Sequence, residues 1–324
     1  MENEILNLLL KNKENYISGE NISESLNVSR TAVWKHIKNL KNKGYIIEGI
    51  SNKGYKLIKE PDIITESSLK PYLTSKIIGR KIIHFDEINS TNIKAKQLAS
   101  EKAENGTIII SETQNGGSGR LGRKWISPKG GSWSSIILRP KIPPIEAPKI
   151  TQIAAAAVYK ALEDLDIKVT IKWPNDIYLN GKKLCGILTE MKGEIDSIDY
   201  VIVGTGMNLN IDGSTWDEDV KKIATSLKLE FNKDFNRSEI TAGYLNYFEE
   251  LYMDFLKNLD LSKTIEICRN NSNVFGKRAK LITYNKEELV TCTGLSDTGN
   301  LIVRDSNGIE KIVMSGEITF HNIK

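Results

Sequence analysis

Cysteine, long apolar runs and net charge are all scarce in this chain of 324 residues. Its three cysteines, Cys185, Cys268 and Cys292, are an odd number without the spacing of a zinc site, so we expect three free thiols in a reducing compartment. No apolar run approaches the roughly eighteen residues that suggest a membrane-spanning helix. The N-terminal stretch MENEILNLLLKN has no basic leader. These features predict a cytoplasmic protein with no membrane partner.

The small net charge of +4 conceals an uneven distribution along the chain. Residues 29–59 contain seven lysines and one arginine against a single glutamate, a local surplus of +7 that exceeds the total. Such a segment suits an anionic partner, although a basic stretch is often only a solvated surface. The length also exceeds what one hydrophobic core usually supports, so two or three domains are expected.

Three short helices precede and overlap this basic segment. Apolar residues predict the first helix near residues 5–10 and the second over 18–27, with Ser18 as its N-cap. After a tight turn, Ser29 is expected to cap a third helix that ends at Gly44. The buried stripe of this third helix is Val33, Ile37 and Leu40. Two helices joined by so short a turn predict a helix-turn-helix.

The remaining side chains of the third helix predict what this domain binds. They are of the kinds that reach DNA bases and phosphates in the major groove. The predicted DNA-binding residues are Ser29, Arg30, Thr31, Trp34, Lys35 and Lys38. Two strands, at 45–50 and 54–58, complete a winged helix-turn-helix. The alternative is a small helical interaction module. A stretch that contains Pro61 and Pro71 follows, so we expect the DNA-binding domain to cover residues 1–62.

The middle of the chain alternates strands with helices. The dipeptide Asn180-Gly181 between two strands is a strong signal for a two-residue type I′ hairpin. Hairpins mixed with helices predict an α+β domain with a mixed sheet, over residues 63–271. Strands are predicted at 81–87, 107–111, 133–138, 168–173, 177–179, 183–190 and 200–206, and long helices at about 92–104, 148–164 and 238–258. Residues 272–324 contain only short strands separated by Asn, Asp and Gly turns, which predicts a small SH3-like β-barrel.

One loop of the middle domain, 113-TQNGGSGRLGRKW-125, is rich in both glycine and basic residues. Glycine at this density disfavours regular structure and lets the backbone approach a ligand closely. Guanidinium groups bind carboxylates and phosphates through two parallel hydrogen bonds. The loop therefore predicts an anion-binding site that closes over its ligand.

Three further motifs follow the loop in order: 172-KWPND-176, 181-GKKLCGIL-188 and 204-GTGMNLN-210. Asn175 and Asp176 follow a proline that interrupts the strand, so their oxygens project from a strand end and could hold Mg²⁺ or simply form an Asx turn. Together with the winged helix, these motifs resemble the family of bifunctional biotin–protein ligases and biotin operon repressors. The resemblance covers nearly the whole chain, and KWPND with GKKLCGIL is its most specific part.

The resemblance implies an enzyme, biotin–[acetyl-CoA-carboxylase] ligase, that makes biotinyl-5′-AMP from biotin and ATP with Mg²⁺. It then transfers biotin to a lysine of a biotin carboxyl carrier domain of a carboxylase. The family also implies a repressor of biotin synthesis and uptake genes, in which biotinyl-AMP promotes a homodimer on operator DNA. Two alternatives stay open: a biotin-sensing transcription factor with weak ligase activity, and a lipoate–protein ligase.

Residue roles also follow from the resemblance. Lys183 and Arg120 are implied as the catalytic residues, and Asn175 and Asp176 as metal ligands. The implied biotin-binding residues are Ser90, Thr91, Asn92, Gln114, Ser118, Gly119, Arg120 and Lys183. The implied ATP-binding residues are Arg123, Lys172, Asn175 and Asn208. The loop departs from the family pattern G-R-G-R-x-G-R, because Ser118 replaces the first arginine, and weaker retention of the adenylate is expected.

Overall fold

The computed structural model of the protein describes residues 1–42, 44–283 and 286–320. The chain forms two compact units, Met1–Ile63 and Ile64–Lys324. Within the described ranges, no helix has the length and apolar character needed to cross a bilayer. The further division of the second unit near residue 272 stays a prediction.

The first unit begins with the three helices that the sequence predicts. Ser18 caps the second helix by accepting a hydrogen bond from the Asn21 amide at 3.0 Å. Ser29 caps the third by accepting one from the Ala32 amide at 3.1 Å, and Gly44 follows with a φ of +93°. The helices are α1 (Glu2–Lys11), α2 (Gly19–Leu26) and α3 (Arg30–Asn42). The predicted stripe of α3 is buried against α1 and α2. The helix-turn-helix is therefore confirmed.

Two antiparallel strands complete the first unit, β1 (Ile46–Ile50) and β2 (Gly54–Lys59). Ile47 and Leu57 face each other across the pair and both enter the core of the unit. The intervening turn leaves the outer end of the hairpin exposed. This hairpin matches the predicted wing.

A seven-stranded mixed sheet forms the centre of the second unit, in the order β3-β4-β5-β9-β8-β7-β6. β3 and β4 are parallel, and every other neighbouring pair is antiparallel. The strands are β3 (Ile82–Ile88), β4 (Ile108–Gln114), β5 (Ser132–Leu138), β6 (Thr170–Lys172), β7 (Asp176–Leu179), β8 (Lys182–Gly193) and β9 (Ile198–Met207). Asn180 and Gly181 link β7 to β8 with φ of 50° and 79°, as the type I′ prediction requires.

Helices cover both faces of this sheet. Ile108 and Ile110 of β4 join the large core that includes the main packing helices, whereas Ile109 between them joins a second cluster under a single helix. This alternation places the two clusters on opposite faces. The helices are α4 (Glu66–Leu69), α5 (Thr91–Ser100), α6 (Lys149–Glu163), α7 (Glu218–Ile223), α8 (Leu227–Phe231), α9 (Arg237–Asn258) and α10 (Ser262–Asn270). α6 and α9 cover the large core, and α5 covers the second cluster. The sequence predicted α5, α6 and α9 but not the other four.

The last segment forms a five-stranded antiparallel sheet in the order β13-β12-β11-β10-β14. Its buried residues belong to the same core as the central sheet. The carbonyl of Gly299, in the turn before β12, accepts hydrogen bonds from Gln152 at 2.7 Å and from the Trp173 indole at 3.1 Å. The strands are β10 (Arg278–Thr283), β11 (Lys286–Leu295), β12 (Leu301–Arg304), β13 (Glu310–Val313) and β14 (Glu317–Thr319). The predicted all-β segment is present, and its closure into an SH3-like barrel stays a prediction.

Candidate functional site

A cleft of about 450 Å³ lies over the centre of the seven-stranded sheet. It is lined by the glycine-arginine loop, the KWPND turn, the start of β8, the end of β9 and the N-terminus of α5. The cleft brings together every residue to which the sequence assigned biotin, nucleotide or metal binding: Ser90, Thr91, Asn92, Gln114, Ser118, Gly119, Arg120, Arg123, Lys172, Asn175, Asp176, Lys183 and Asn208. Their individual roles stay predictions.

Glycines on β8 and β9 form the floor of this cleft. Gly186 and Gly206 are paired across the two strands. A Cβ atom on Gly206 would lie 2.6 Å from the Trp125 indole nitrogen, and one on Gly186 would lie 3.1 Å from the Lys183 side chain. These glycines therefore let Trp125 and Lys183 lie directly against the sheet, and larger residues would fill the cleft.

Lys183 is held at the edge of this floor. Its Nζ lies 2.7 Å from Asp176 Oδ1 and 5.2 Å from the centre of the Trp125 ring. Only 26% of the Lys183 side chain is exposed, so its ammonium has little freedom to move. The Asn-Gly turn fixes the register of β8 and thereby the position of this lysine. The geometry provides a fixed positive charge facing the cleft.

The glycine-arginine loop folds back as a narrow hairpin. The Trp125 amide donates to the Gly117 carbonyl at 2.8 Å, and the Gly119 amide donates to the Arg123 carbonyl at 2.7 Å. Ser118 and Lys124 face each other across this hairpin, and both line the cleft. Close packing explains Gly117, because a Cβ atom there would lie 2.5 Å from the Trp125 carbonyl oxygen, whereas Gly122 has a φ of +72° and open space around it.

Both arginines of the loop contact the C-terminal sheet, which the sequence did not predict. Arg120 donates to the Asn175 amide oxygen at 3.2 Å and to the Gly316 carbonyl at 2.9 Å. Arg123 pairs with Glu317 at 2.6 Å. Burial acts to raise the pKa of Glu317, but the hydrogen bond from Arg123 and nearby cations outweigh it, so this pKa falls below its usual value. The first residue of β14 is thus an ionised part of the cleft wall.

Positive charge dominates the cleft. Its lining includes two arginines and three lysines against two carboxylates, Asp176 and Glu317. Burial lowers the pKa of Lys172, while the Asp176 carboxylate acts in the opposite direction. Among the residues that the structure describes, Lys124 is the one cation of the lining whose side chain has no hydrogen bond or ion pair. A surplus of about three positive charges suits ligands with several anionic groups.

The opposite end of the cleft is neutral and rich in hydrogen-bonding groups. Gln114 Oε1 accepts from the amide and the hydroxyl of Thr91, at 2.8 Å and 3.1 Å. Ser90 caps α5 by accepting from the Ile93 amide at 3.5 Å. Asn92 is 8% exposed and contacts Ser135 of β5. This end can bind an uncharged polar ring, because its groups are fixed before a ligand arrives.

Three buried polar atoms of the cleft lack a protein partner within the described ranges. They are Asn208 Oδ1, the Trp125 indole nitrogen and the Ser134 hydroxyl. The Asn208 amide nitrogen donates to the Thr225 carbonyl at 3.0 Å, so its oxygen is left to accept from a ligand. Because buried polar groups are nearly always hydrogen-bonded, these atoms indicate contacts that a ligand completes.

The donor set also bears on the predicted magnesium ion. No cluster of three or more His, Cys, Asp or Glu side chains suited to a metal occurs in the described part of the chain. Mg²⁺ in nucleotide sites is usually held by one or two carboxylates together with substrate phosphates. Asp176 fits that pattern. Asn175 fits it less well, because its amide oxygen already accepts from Arg120.

In the first unit, all the predicted DNA-binding residues are exposed on α3 or at its N-terminus. Trp34 is 56% exposed, and the Lys38 ammonium lies 5.3 Å from the centre of its ring. Arg30 lies near Glu20 of α2 at 3.8 Å, with both side chains well exposed. The helix therefore presents cations, hydroxyls and one aromatic ring on a single surface.

Sequence reasoning missed several residues of the cleft. Lys124 and Trp125 lie within the glycine-arginine loop that the sequence identifies, but the sequence assigned them no role in the cleft. Glu317 could not be found by spacing, because it lies on a different sheet. Trp216 and Val220 also line the cleft, in a segment for which no helix was predicted.

Comparison with known proteins gives two family matches. Residues 84–208 match the biotin/lipoate A/B protein ligase family, and residues 2–56 match a helix-turn-helix domain. The chain is 36% identical over 314 residues to the bifunctional ligase/repressor BirA of Bacillus subtilis, with 96% of each chain covered. It is 29% identical to the protein of the same name from Escherichia coli, with 97% of this chain and 95% of the other covered.

Solved structures give the same result for the second unit. The biotin protein ligase of Aquifex aeolicus in complex with biotin and ATP aligns with a TM-score of 0.64 and 29% identity. The alignment covers 74% of this chain and 98% of that one. The glycine-floored cleft therefore occurs in a fold shared with a protein that binds a small carboxylic acid and a nucleotide.

Proposed function

The chain belongs to the family of bifunctional biotin–protein ligases and transcriptional repressors, and we propose how its residues divide these two activities. The second unit is a biotin–protein ligase. The first unit is its DNA-binding module, and the chain acts as a repressor. The observation that carries this function is the cleft itself, in which a neutral polar end, a cationic centre and unpartnered buried polar atoms meet on one glycine floor.

In the first half-reaction, a carboxylate oxygen of biotin attacks the α-phosphorus of ATP, and pyrophosphate leaves. Biotin is oriented with its ring toward Ser90, Thr91, Asn92 and Gln114 and its carboxylate toward Lys183. The ammonium of Lys183 stabilises negative charge that develops between the carboxylate and the α-phosphate. Arg120 faces the same region from the loop. No covalent intermediate with the protein is required, because the residues only position the reactants and neutralise charge.

The nucleotide occupies the cationic centre of the cleft. Arg123 and Lys172 face the phosphates, and Asn208 Oδ1 accepts a hydrogen bond from the adenine amino group. Support for this orientation comes from the unpartnered Oδ1 atom beside a charged lining. When bound, Mg²⁺ would neutralise phosphate charge, and Asp176 would hold it.

In the second half-reaction, a lysine amine of the carrier domain attacks the carbonyl carbon of biotinyl-AMP, and AMP leaves. The intermediate is a mixed anhydride that water would destroy, so the cleft must keep it covered. The glycine-arginine hairpin is suited to this task, because its ends pack closely and, among the residues that the structure describes, its tip is anchored through the side chains of Arg120 and Arg123. We propose that the loop opens for entry and closes over the adenylate.

The experiment that tests the enzyme is incubation with biotin and MgATP, followed by mass spectrometry of the bound ligand and of an added carrier domain. We expect biotinyl-AMP on the protein and one biotin on the carrier. Competition between biotin and lipoate separates this function from the lipoate ligase alternative. A preference for lipoate would refute the assignment of the substrate, and failure to form either adenylate would refute the enzyme.

The repressor activity depends on α3 and the wing. The basic surplus of residues 29–59 lies in these elements, so binding to operator DNA should weaken steeply as the salt concentration rises. One winged helix covers one half-site, so we propose that two copies related by a twofold axis bind the operator. The predicted division into domains 1–62, 63–271 and 272–324, the SH3-like barrel and the cytoplasmic location belong to the same proposal.

The outer edge of β8 is the surface that we propose for the homodimer. β7 pairs with β8 along Lys182–Gly186, and Asn175 occupies both backbone groups of Ile187, so beyond Ile187 this edge has no strand neighbour among the described residues. An open edge can accept one strand from a second copy or from the carrier domain, but not both at once. Biotin with MgATP should therefore promote dimerisation, and apo-carrier should oppose it. Sedimentation with and without these ligands measures this, and equal dimerisation in both conditions would refute the coupling.

A further inference from the structure

Glu190 lies outside the cleft but contacts the wall that binds the ring. It is on β8, and its side chain is 34% exposed. One carboxylate oxygen, Oε2, accepts a hydrogen bond from Asn92 Nδ2 at 2.9 Å. The other, Oε1, pairs with Lys96 at 2.9 Å, one helical turn further along α5. Both oxygens of this carboxylate are therefore used to hold the beginning of α5 against β8.

The Asn92 amide lies at the centre of these contacts. Its Nδ2 faces Glu190 and, at 3.4 Å, the Leu188 carbonyl. Its Oδ1 lies 2.6 Å from the Ser135 hydroxyl. Space is also restricted, because a Cβ atom on Gly204 would lie 2.1 Å from Asn92 Oδ1. The amide is therefore packed against the cleft floor with its two ends in different surroundings.

Packing alone does not determine which end of an amide faces which neighbour. The Ser135 hydroxyl can donate or accept, so it accommodates either orientation of Asn92. An ionised carboxylate only accepts, so it requires the NH₂ group of Asn92. In the reversed orientation, two acceptor oxygens would face each other at hydrogen-bonding distance. The Glu190 carboxylate at 2.9 Å, together with the more distant Leu188 carbonyl at 3.4 Å, thus keeps the Asn92 oxygen directed toward Ser135 and toward Gly204 of the cleft lining.

We infer that Glu190 is a positioning residue for biotin, because it fixes the orientation of the Asn92 amide and thereby presents a hydrogen-bond acceptor to a ring N–H. This inference rests on the proposed function and deepens it. Asn92 accepts the hydrogen bond from a ureido N–H of biotin, and Glu190 sets the orientation of Asn92 without touching the ligand. Lys96 stabilises the ionised carboxylate in its place. ATP binds at the other end of the cleft, so it should be insensitive to Glu190.

The test compares Glu190→Ala and Glu190→Gln with the exposed control Glu194→Ala, in the full-length chain. Calorimetry measures biotin binding, and pyrophosphate exchange measures the KM for biotin and for ATP. Glu190→Ala should raise the biotin Kd and KM roughly tenfold, the effect of one hydrogen bond, and leave the ATP KM within about twofold. Glu190→Gln should give a smaller increase, because a glutamine amide can face Asn92 with either its oxygen or its NH₂ group.

Discrimination among ligands separates orientation from general loosening. Wild-type protein should bind biotin more tightly than biotin methylated at one of its ureido nitrogens. In Glu190→Ala, the ratio of the two Kd values should be smaller. Equal rises in the KM for biotin and for ATP would refute the inference, as would an unchanged biotin Kd in an active protein. If the alanine variant does not fold, Glu190→Gln and Lys96→Ala replace it, and the inference again requires a raised Kd and KM for biotin with a nearly unchanged KM for ATP. A wild-type chain that makes no adenylate would refute the proposed function and this inference with it.

Discussion

Replacement of Lys183 is the strongest test of the proposed reaction. The Lys183 side chain is 26% exposed, and its ammonium lies 2.7 Å from Asp176 and 5.2 Å from the centre of the Trp125 ring, so its position is fixed before the substrates arrive. A preorganised group of this kind typically contributes 10²- to 10³-fold to kcat, or about 3–4 kcal/mol. We therefore expect Lys183→Gln, which keeps much of the length of the side chain but loses the charge, to lower adenylate formation by about that factor.

The assay is biotin-dependent exchange of pyrophosphate into ATP. Lys182→Ala is the matched control, because the neighbouring Lys182 bonds to the Lys221 carbonyl and does not line the cleft. A second effect has to be separated from the first. Loss of Lys183 leaves the Asp176 carboxylate, which is 14% exposed, without its ion pair. Thermal unfolding measures any such destabilisation, and Asp176→Asn combined with Lys183→Gln removes both charges.

Asp176 is also the proposed Mg²⁺ ligand, so the double variant is compared with the single variant by thermal unfolding and not by activity. We expect the double variant to recover the unfolding temperature that the single variant loses. Lys183→Gln that is folded at the assay temperature should stay deficient in exchange, because the missing charge acts on the reacting phosphate. Near-normal exchange in Lys183→Gln would refute the reasoning directly and remove this lysine from the mechanism.

Three further changes test other parts of the structure. Glu317→Ala should lower the KM for ATP roughly tenfold, because the phosphates no longer compete with this carboxylate for Arg123, whereas loss of Glu310, which pairs with Arg304 on the same sheet, in Glu310→Ala should leave it unchanged; equal effects would refute a role of β14 in the cleft. Ser118→Arg should slow dissociation of biotinyl-AMP, by an amount worth about 1–3 kcal/mol, and an unchanged or faster rate would contradict this. Glu112→Gln should lower the free energy of unfolding by about 3 kcal/mol at neutral pH, because it breaks a buried pair with Arg237, in which the two side chains are 6% and 1% exposed. Burial acts to raise the pKa of Glu112, but the hydrogen bonds and charge of His84 and Arg237 outweigh it, so the pKa in the folded protein lies below the ordinary value of 4.5. The ionised carboxylate therefore stabilises the protein above pH 4.5, and this stabilisation is lost as the pH falls through the lower pKa of the folded state. A difference in unfolding free energy between Glu112→Gln and wild type that stays constant in acid would refute this assignment.

Much of the cleft could be predicted because its parts are local motifs on neighbouring strands. The GKKLCGIL and GTGMNLN motifs become the adjacent strands β8 and β9, so their glycines face each other without any long-range adjustment. The turn at Asn180-Gly181 could also be predicted from the dipeptide alone, because only a few residue types tolerate its positive φ angles. Features of this kind can be predicted because they depend on a few neighbouring residues and not on the rest of the chain.

The missed elements depend on tertiary contacts or lack an apolar stripe. α7 has six residues and no buried member, and it is stabilised by the Asp217 cap and by short ion pairs such as Lys221 with Glu218. Apolar periodicity therefore does not identify it. The contact between Arg120 and the Gly316 carbonyl joins the glycine-arginine loop to the residue just before β14, 196 positions further along the chain. Sequence spacing carries no information about that docking.

The C-terminal sheet also changes how closure of the loop should be understood. Both arginines are already bonded to the C-terminal sheet, Arg120 to a carbonyl and Arg123 to an ionised carboxylate. A phosphate that enters the cleft must therefore compete for these guanidinium groups rather than meet free cations. Lys124, which has no side-chain partner within the described ranges, is available to contact the phosphate first. Retention of the adenylate then depends on the difference in free energy between the contacts of the two arginines with the adenylate and their contacts with Gly316 and Glu317. Replacement of Glu317 alters this difference without changing any residue of the loop.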